Sequence, residues 1–263
     1  MRLATWNVNS LRSRIGRVEA FLERHDVDVL AVQETKARED QLPVMGLQAM
    51  GYDVAAVGYD QWNGVAVISR VGLTDVEIGF PGMPTWGDPV AAEARAMGAT
   101  CDGVRVWSLY VPNGRKPGDP HYVYKLDWLA RLREAARAWV GTPTALVGDW
   151  NIAPQDDDVF DVRSFAKSTH VTPPEREAFA AFLEDGYVDV VRPHAPGPEV
   201  YTYWDYYRQR YERNRGMRID FVLGSPGLAE RVTGAFIDRE ERAGAGASDH
   251  APVVVDLTDG PVG

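Results

Sequence analysis

The sequence contains very little cysteine, no long apolar run and no recognisable leader segment. Cys101 is the single cysteine, which excludes an internal disulfide framework and a multi-cysteine zinc site and points to a reducing compartment. The first ten residues lack the basic segment and apolar stretch of a signal peptide, and no apolar run reaches the length of a membrane span. These absences predict a soluble, cytoplasmic protein that does not contact a membrane.

Linker-like segments are missing as well, since no Ser/Gly-rich stretch or charge run divides the chain. A chain of 263 residues can bury roughly 70–75% of the surface that its unfolded form exposes, which is enough for a sizeable core. We therefore predict one compact domain over residues 1–258 and a short C-terminal tail over residues 259–263. We also expect a monomer.

Positive charge is scarce overall, because the formal net charge is −10, and this argues against a polyanionic partner. One segment departs from the average. Against Glu212 alone stand Arg208, Arg210, Arg213, Arg215 and Arg218, and the neighbouring aromatic residues are Tyr203, Trp204, Tyr206, Tyr207 and Tyr211. Such a cluster could bind a polyanion. The alternative is a solvated loop whose arginines form salt bridges.

Strand-like apolar runs alternate with amphipathic helical patterns along the chain. An extended segment at residues 3–8 precedes a helical pattern at residues 15–22, and a longer helical pattern covers residues 122–139. The run Thr-Pro-Pro-Glu that starts at Thr172 resembles a capping box. With further strand-like segments at residues 64–69, 104–110 and 144–147, the pattern predicts an α/β fold with two β-rich halves packed face to face and helices outside.

Polar side chains follow several of the apolar runs. These transitions occur at Trp6-Asn7, Val32-Gln33-Glu34, Gly148-Asp149-Trp150-Asn151, Arg218-Ile219-Asp220 and Ser248-Asp249-His250. An apolar run bounded by polar residues is typical of a buried strand, and α/β folds place their chemistry at the ends of such strands. Carboxylate and amide oxygens without thiols suit a hard cation such as Mg²⁺. The transitions therefore predict a metal-dependent hydrolase of phosphate esters.

Asp149 and Asn151 are the most informative pair, since residues two apart at a strand end project from the same face. One could activate water while the other holds a phosphate oxygen or the ion. Glu34 follows a buried run, where a carboxylate requires a cation or hydrogen bonds, so we interpret it as a metal ligand. The alternatives are a turn capped by Asp149 and Asn151 before Pro154, and a solvent-facing Glu34.

His250 precedes an apolar strand, and an imidazolium there could donate to a phosphate that gains charge in the transition state. It would need an orienting carboxylate, and Asp220, inside an apolar run, would need a partner of its own. Each side chain could be the partner of the other. Tyr110 ends another strand and could bring its phenol to the phosphate. A structural histidine and a packed aromatic residue are the alternatives.

Six ordered motifs together resemble the exonuclease III family of apurinic/apyrimidinic (AP) endonucleases, within the endonuclease/exonuclease/phosphatase superfamily. The motifs span residues 5–12, 33–36, 110–114, 148–154, 214–220 and 248–252. The resemblance implies a four-layer α/β sandwich, in which two packed mixed β-sheets are flanked by helices. It also implies Mg²⁺- or Mn²⁺-dependent cleavage of duplex DNA 5′ to abasic sites, with 3′→5′ exonuclease and 3′-phosphatase activity on blocked ends.

The resemblance also implies roles for individual residues. The metal-binding set would be Asn7, Glu34, Asp149, Asn151 and Asp249. Asp149 would be the base that activates water, Asn151 and Tyr110 would hold the scissile phosphate, and Asp220 would orient His250. The substrate-binding set would be Asn9, Arg115, Tyr203, Trp204, Arg208, Arg213, Met217 and Ile219. Of these, Tyr203, Met217 and Ile219 would line an apolar pocket that accepts a sugar without its base.

Two positions depart from close relatives, and both affect what is expected of the site. Met217 replaces a common tryptophan and softens the pocket, whereas Asn9 replaces an aspartate and leaves the number of bound ions open. Two rival functions also remain. One is a phosphatase or phosphodiesterase acting on RNA, an inositol phosphate or a lipid, and the other is a non-catalytic DNA-binding module with the same fold.

Overall fold

The computed structural model describes residues 1–258 and 260, and within them twelve strands form two six-stranded sheets. The strands are β1 (Arg2–Asn7), β2 (Val29–Gln33), β3 (Asp53–Val57), β4 (Val65–Ser69), β5 (Thr74–Ile78), β6 (Ala96–Cys101), β7 (Val104–Tyr110), β8 (Thr144–Asp149), β9 (Val188–Asp189), β10 (Asp220–Gly224), β11 (Val232–Ile237) and β12 (Val253–Leu257). The α-helices are α1 (Leu11–His25), α2 (Val44–Ala49), α3 (Pro120–Ala136), α4 (Pro173–Glu184) and α5 (Pro226–Ala229). Short 3₁₀ helices cover Glu39–Gln41, Asp156–Asp158, Val162–Phe165 and Arg239–Arg242.

Both sheets are mixed and share one arrangement at their centres. The first has the strand order β11-β12-β1-β2-β4-β3, and the second has the order β5-β6-β7-β8-β10-β9. Strand β1 is parallel to β2, and β7 is parallel to β8, whereas the neighbours on either side are antiparallel. Since carboxyl ends of parallel strands meet at one sheet edge, Asn7 lies opposite Gln33, and Tyr110 opposite Asp149.

The two sheets pack face to face, and helices cover both outer faces. Side chains alternate along each strand, so Leu3 of β1 points into the apolar layer between the sheets while Trp6 points toward α1. In the second sheet, Trp107 and Leu146 point outward and pack under α3 and α4. Burial on both faces explains why the central strands are almost entirely apolar. The predicted four-layer α/β sandwich is therefore confirmed.

Helix ends agree with the sequence patterns to within a turn. The predicted capping box is present at the start of α4, where Thr172 and Glu175 exchange side-chain and backbone hydrogen bonds and Pro173 occupies the first turn. Helix α3 ends at Ala136, so Trp139 lies beyond it. The Trp139 ring stacks on Trp107 with 4.4 Å between ring centroids, and this contact explains its apolar periodicity.

Two further predictions concern a membrane-spanning segment and the C-terminal tail. No helix within the described part of the chain is long and apolar enough to cross a membrane. The predicted tail at residues 259–263 lies outside the described residues except for Gly260. The domain bounds therefore stay a prediction.

Candidate active site

Strand ends from both sheets place the predicted polar residues at one edge of the sandwich. Asn7 ends β1 and Glu34 follows β2, while Asp149 ends β8 and Asp220 begins the neighbouring β10 directly opposite Asp149. His250 precedes β12. The site is thus divided between the two sheets.

Gly148 is required for the central strands of the second sheet to pair closely. Its φ is 142°, and a Cβ added there would lie 1.9 Å from the carbonyl oxygen of Leu109 on β7. Any side chain at this position would separate β7 from β8 and move Asp149. Gly148 therefore permits the close approach of the two backbones.

Two carboxylates and an imidazole form a compact cluster. One ligand atom from each of Glu34, Asp149 and His250 lies within 4.8 Å of the other two. The Asn7 side-chain amide bridges the carboxylates, since Nδ2 donates to Glu34 Oε1 at 2.8 Å and to Asp149 Oδ2 at 3.0 Å. Lys36 Nζ lies 2.8 Å from Glu34 Oε2. The Glu34 and Asp149 carboxylates therefore lie side by side. Lys36 balances only part of their negative charge.

The electrostatics of this cluster fit a divalent cation. Burial raises the pKa of Asp149, and the Asp220 and Glu34 carboxylates raise it further, to about 7, although His250 opposes them. Burial also raises the pKa of Glu34, but Lys36 and Asn7 outweigh it and the net shift is downward. A hard cation would relieve the repulsion at Asp149, and carboxylate oxygens are the ligands that Mg²⁺ and Mn²⁺ accept.

Three further residues of the predicted site lie around the cluster of Glu34, Asp149 and His250. They are Asn7, Asn9 and Asp249. The Asn7 Oδ1 accepts from the backbone N–H of Asn9 at 3.0 Å, so its Nδ2 faces the carboxylates and positions them. Asn9 Nδ2 donates to Asp249 Oδ1 at 3.0 Å, and Lys36 Nζ donates to Asn9 Oδ1 at 2.5 Å. Asp249 therefore reaches the cluster through Asn9 and lies outside the compact group of three.

The expected pairing of His250 with Asp220 is confirmed. His250 Nδ1 lies 3.1 Å from Asp220 Oδ1 and 2.9 Å from Oδ2, and Nε2 lies 3.7 Å from Asp149 Oδ2. Burial lowers the pKa of His250, but Asp220 and Asp149 outweigh this effect and raise the pKa to about 10. An imidazolium whose Nδ1 is held by Asp220 directs its Nε2–H toward the cluster.

Asn151 is more firmly held by the protein than its motif suggests. Its φ is 50°, and its Nδ2 donates to the carbonyl oxygen of Val111 at 3.0 Å. Its Oδ1 accepts from Asn113 Nδ2 and lies near His170 Nε2, both at 3.1 Å. Sequence reasoning missed Asn113 and His170 as site residues. Asn113 belongs to a motif that was recognised, whereas His170 carries no pattern that distinguishes it.

Tyr110 faces the cluster from the end of β7. Burial, followed by the charge of Glu34, raises the pKa of its phenol well above the ordinary value. The Arg95 guanidinium lies 4.8 Å from the ring centroid, a distance typical of a cation–π contact. The phenol is therefore a neutral hydrogen-bond donor.

A pocket of about 240 Å³ adjoins the cluster. Its lining includes Arg115, His170, Tyr203, Met217 and Phe165. The Tyr203 ring contacts His250 with 4.9 Å between ring centroids. Ile219 is 2% exposed and packs behind Met217, so it supports the pocket from within the core.

Trp204 and Arg218 occupy places that the sequence did not predict. Trp204 is 0% exposed, and its Nε1 donates to Asn214 Oδ1 at 3.1 Å, so it has no surface with which to contact a substrate. Arg218 is 2% exposed and forms salt bridges with Asp158 and Asp189, each at 2.7 Å. Arg218 therefore does not belong to the exposed basic cluster.

The rest of that cluster lies at the surface. Arg208 and Arg213 are exposed. The Arg208 guanidinium lies 5.4 Å from the Tyr207 ring centroid, and Arg213 Nη2 donates to Gln209 at 3.4 Å. Arg210 and Arg215 line the pocket. None of these four forms a salt bridge in the described part of the chain, unlike Arg218, so their charge faces solvent.

A four-layer α/β sandwich with carboxylates and a carboxylate-bound histidine at its strand ends defines a class of phosphate-ester hydrolases. The model of the endonuclease/exonuclease/phosphatase family matches residues 4–250, and the chain belongs to this family.

Relatives within the family resemble the chain over nearly its full length. An exodeoxyribonuclease of Bacillus subtilis is 32% identical and covers 96% of this chain and 98% of its own. A DNA repair nuclease of Danio rerio is 30% identical, with 98% and 82% covered. The family, the fold and the enzyme class predicted from the motifs are thereby confirmed.

Two solved structures also resemble the chain over nearly its full length. A Neisseria 3′ phosphatase bound to a product DNA hairpin is 36% identical, covers 98% of this chain and 99% of its own, and superimposes with a TM-score of 0.92. An AP endonuclease from Archaeoglobus fulgidus is 34% identical, with the same coverage and a TM-score of 0.91.

Proposed function

We propose that the protein is a metal-dependent DNA-repair phosphodiesterase. It cleaves duplex DNA 5′ to abasic sites and also acts as a 3′→5′ exonuclease and a 3′-phosphatase on blocked ends. The observation that carries the proposal is the convergence of Glu34, Asp149 and His250 within 4.8 Å. The relatives named as exodeoxyribonucleases, AP endonucleases and a DNA 3′ phosphatase support the choice of substrate.

The metal site that we propose uses oxygens from both sheets. Glu34 and Asp149 would hold Mg²⁺ or Mn²⁺, Asn7 and Asp249 would complete its surroundings, and Asn151 would lie beside it. The ion would offset negative charge on the phosphoryl oxygens.

In the mechanism that we propose, side chains of the protein accept and donate the protons. Asp149 accepts the proton of the attacking water. His250 donates from Nε2 to a phosphate oxygen while Asp220 fixes its ring. Tyr110 and Asn151 donate hydrogen bonds to the same phosphate. The fixed donors require no reorganisation as charge develops.

Duplex DNA would approach along the exposed arginines beside the pocket. Arg208 and Arg213 would contact phosphates, and Arg115, Tyr203 and Met217 would surround the abasic sugar, with Ile219 and Trp204 supporting them from the core. Asn9 would reach the substrate from the other sheet. Because all of these groups come from one chain, we expect a monomer. We also expect it to act in the cytoplasm.

Product analysis with matched substrates tests the proposal. Duplexes with one tetrahydrofuran site, a blunt end or a 3′-phosphate would be incubated with Mg²⁺ or EDTA, beside a lipid phosphate and an RNA duplex. We expect Mg²⁺-dependent cleavage of the DNA substrates only. Turnover of the lipid or the RNA in preference to DNA would favour the rival phosphodiesterase.

Asp149→Asn tests the assignment of the base. It should lower kcat by about 10³-fold while leaving duplex affinity largely intact. Asp185→Asn, at the C-terminal end of α4, serves as the control. Undiminished cleavage by Asp149→Asn would refute the role of Asp149, and duplex binding without turnover by the wild-type protein would favour a non-catalytic module.

A further inference from the structure

A buried ion pair lies beneath the active site and does not contact the reacting groups. Lys125 comes from the second turn of α3 and Glu175 from the first turn of α4. Both side chains are 0% exposed, and Lys125 Nζ lies 2.5 Å from Glu175 Oε1. Burial of an ion pair is often no more stabilising than well-packed apolar residues. The contacts that this pair makes therefore need their own explanation.

Lys125 ties two active-site loops to helix α3. Its Nζ donates to the backbone carbonyl oxygen of Asn151 at 2.6 Å and to that of Asn113 at 3.2 Å. One helical turn earlier, His121 Nδ1 accepts from the backbone N–H of Gly114 at 3.1 Å. The buried face of α3 thus holds the segment after β7 at two points and the segment after β8 at one.

Glu175 ties a third loop to the same centre. Its Oε1 accepts from the backbone N–H of His170 at 3.0 Å and also contacts the hydroxyl of Thr169. Its Oε2 accepts from the backbone N–H and the hydroxyl of Thr172, at 3.1 and 2.7 Å. Both charges are thereby saturated with hydrogen bonds, which a buried pair requires.

The same three loops meet a second time, next to the catalytic cluster. Asn113 Nδ2 and His170 Nε2 both lie 3.1 Å from Asn151 Oδ1. Lys125 and Glu175 therefore bind the backbone of residues 113, 151 and 170. The side chains of Asn113 and His170 in turn bind the side chain of Asn151. A shift in the backbone contacts would move the side-chain contacts.

We propose that Lys125 and Glu175 are positioning residues that hold the Asn151 amide and the His170 wall of the pocket in place for the reaction. The proposal rests on the proposed function, because Asn151 is there a ligand of the scissile phosphate. Misplacement of a catalytic group by about 1 Å can cost on the order of 10²-fold in rate. The pair acts through Asn151 and touches no substrate atom.

The double variant Lys125→Met/Glu175→Gln is the principal test. It removes both charges together, whereas Lys125→Met alone would leave a buried carboxylate unpaired and endanger folding. The matched control is Arg133→Met/Asp185→Asn. That pair also joins α3 to the end of α4, with Arg133 Nε 2.6 Å from Asp185 Oδ2, but it lies away from the site.

Both proteins would be assayed well below their melting temperatures on the tetrahydrofuran duplex. We expect kcat of the Lys125/Glu175 variant to fall about 10- to 100-fold, with KM changed less than about threefold because the exposed arginines remain. The control should keep both constants. Unchanged kcat in the test variant, or an equal loss in the control, would overturn the proposal.

A second readout does not depend on activity. Hydrogen exchange of the Asn151 side-chain amide, followed by ¹⁵N NMR, should be slow in the wild type and the control and at least about tenfold faster in the test variant. Unchanged exchange would overturn the positioning role even if kcat fell. A wild-type protein that cleaves no DNA would refute the proposed function, and the exchange measurement would still decide the role of the pair.

Discussion

Asp220→Asn would remove one carboxylate charge from beside the buried imidazole of His250 while leaving the side-chain volume nearly unchanged. Asp220 Oδ2 lies 2.9 Å from His250 Nδ1. At this separation and an effective dielectric constant near 20, two unit charges attract by about 6 kcal/mol. Since one pKa unit corresponds to about 1.4 kcal/mol, we expect the His250 pKa to fall by about 4 units in the metal-free variant.

The sign of the accompanying stability change follows from the direction of the shift. The folded pKa of His250 is raised from 6.5 to about 10. Protonation therefore contributes its full stabilisation below about pH 6.5, and this contribution is lost as the pH rises through about 10. In Asp220→Asn the contribution nearly vanishes. The wild-type advantage in the free energy of unfolding should shrink by about 4 kcal/mol between pH 6 and pH 10.

NMR titration of the His250 ring in EDTA would measure the pKa directly, and urea unfolding at pH 6, 8 and 10 would measure the stability. Asp185→Asn controls for a general change in net charge. A fall of less than one unit in the variant would show that Asp220 does not govern the protonation of His250. The proposed role of Asp220 in keeping His250 protonated would then have to be abandoned.

The remaining predictions concern the ion, the duplex and the pocket. Because the folded pKa of Asp149 is raised from 3.8 to about 7, metal-free stability should fall as the pH rises through this range. Mg²⁺ should therefore raise Tm more at pH 8 than at pH 5.5 in a thermal melt, and equal rises would contradict a site at Asp149. Arg208→Ala and Arg213→Ala should each lower the slope of log affinity against log salt by about 0.9 on any duplex sequence, and an unchanged slope would count against phosphate contacts. Met217→Ala, at a residue that is 6% exposed, should cost about 2–4 kcal/mol in urea unfolding and raise cleavage of intact 3′ nucleotides relative to abasic sites. A constant ratio would mean that the pocket does not set substrate choice.

The strands and their polar ends could be predicted because the central strands are buried on both faces. Residues 29–32 and 145–147 are apolar throughout, so Glu34 and Asp149 mark the places where the chain leaves the core. The cost of burying a carboxylate alone made His250 a possible partner for Asp220. The resemblance to the exonuclease III family made their pairing an expectation.

Contacts between loops could not be predicted in this way. Lys125 interrupts the apolar periodicity of α3, and this pattern favours a solvent-facing side chain. In the structure Lys125 is 0% exposed. Glu175 was correctly assigned to a capping box, but nothing local indicates that the same carboxylate binds Lys125. Arg218 appeared to continue an arginine cluster. Its partners, Asp158 and Asp189, are distant in sequence, and only the tertiary fold brings them together.

The division of the site between the sheets has a consequence for a chain that is still emerging from the ribosome. Glu34 and Asp149 are synthesised early, but β12 must reach its place beside β1 before His250 can join them. A nascent protein would therefore carry its acidic groups without being able to cut. Hydrolytic competence would arrive only when β12 docks beside β1.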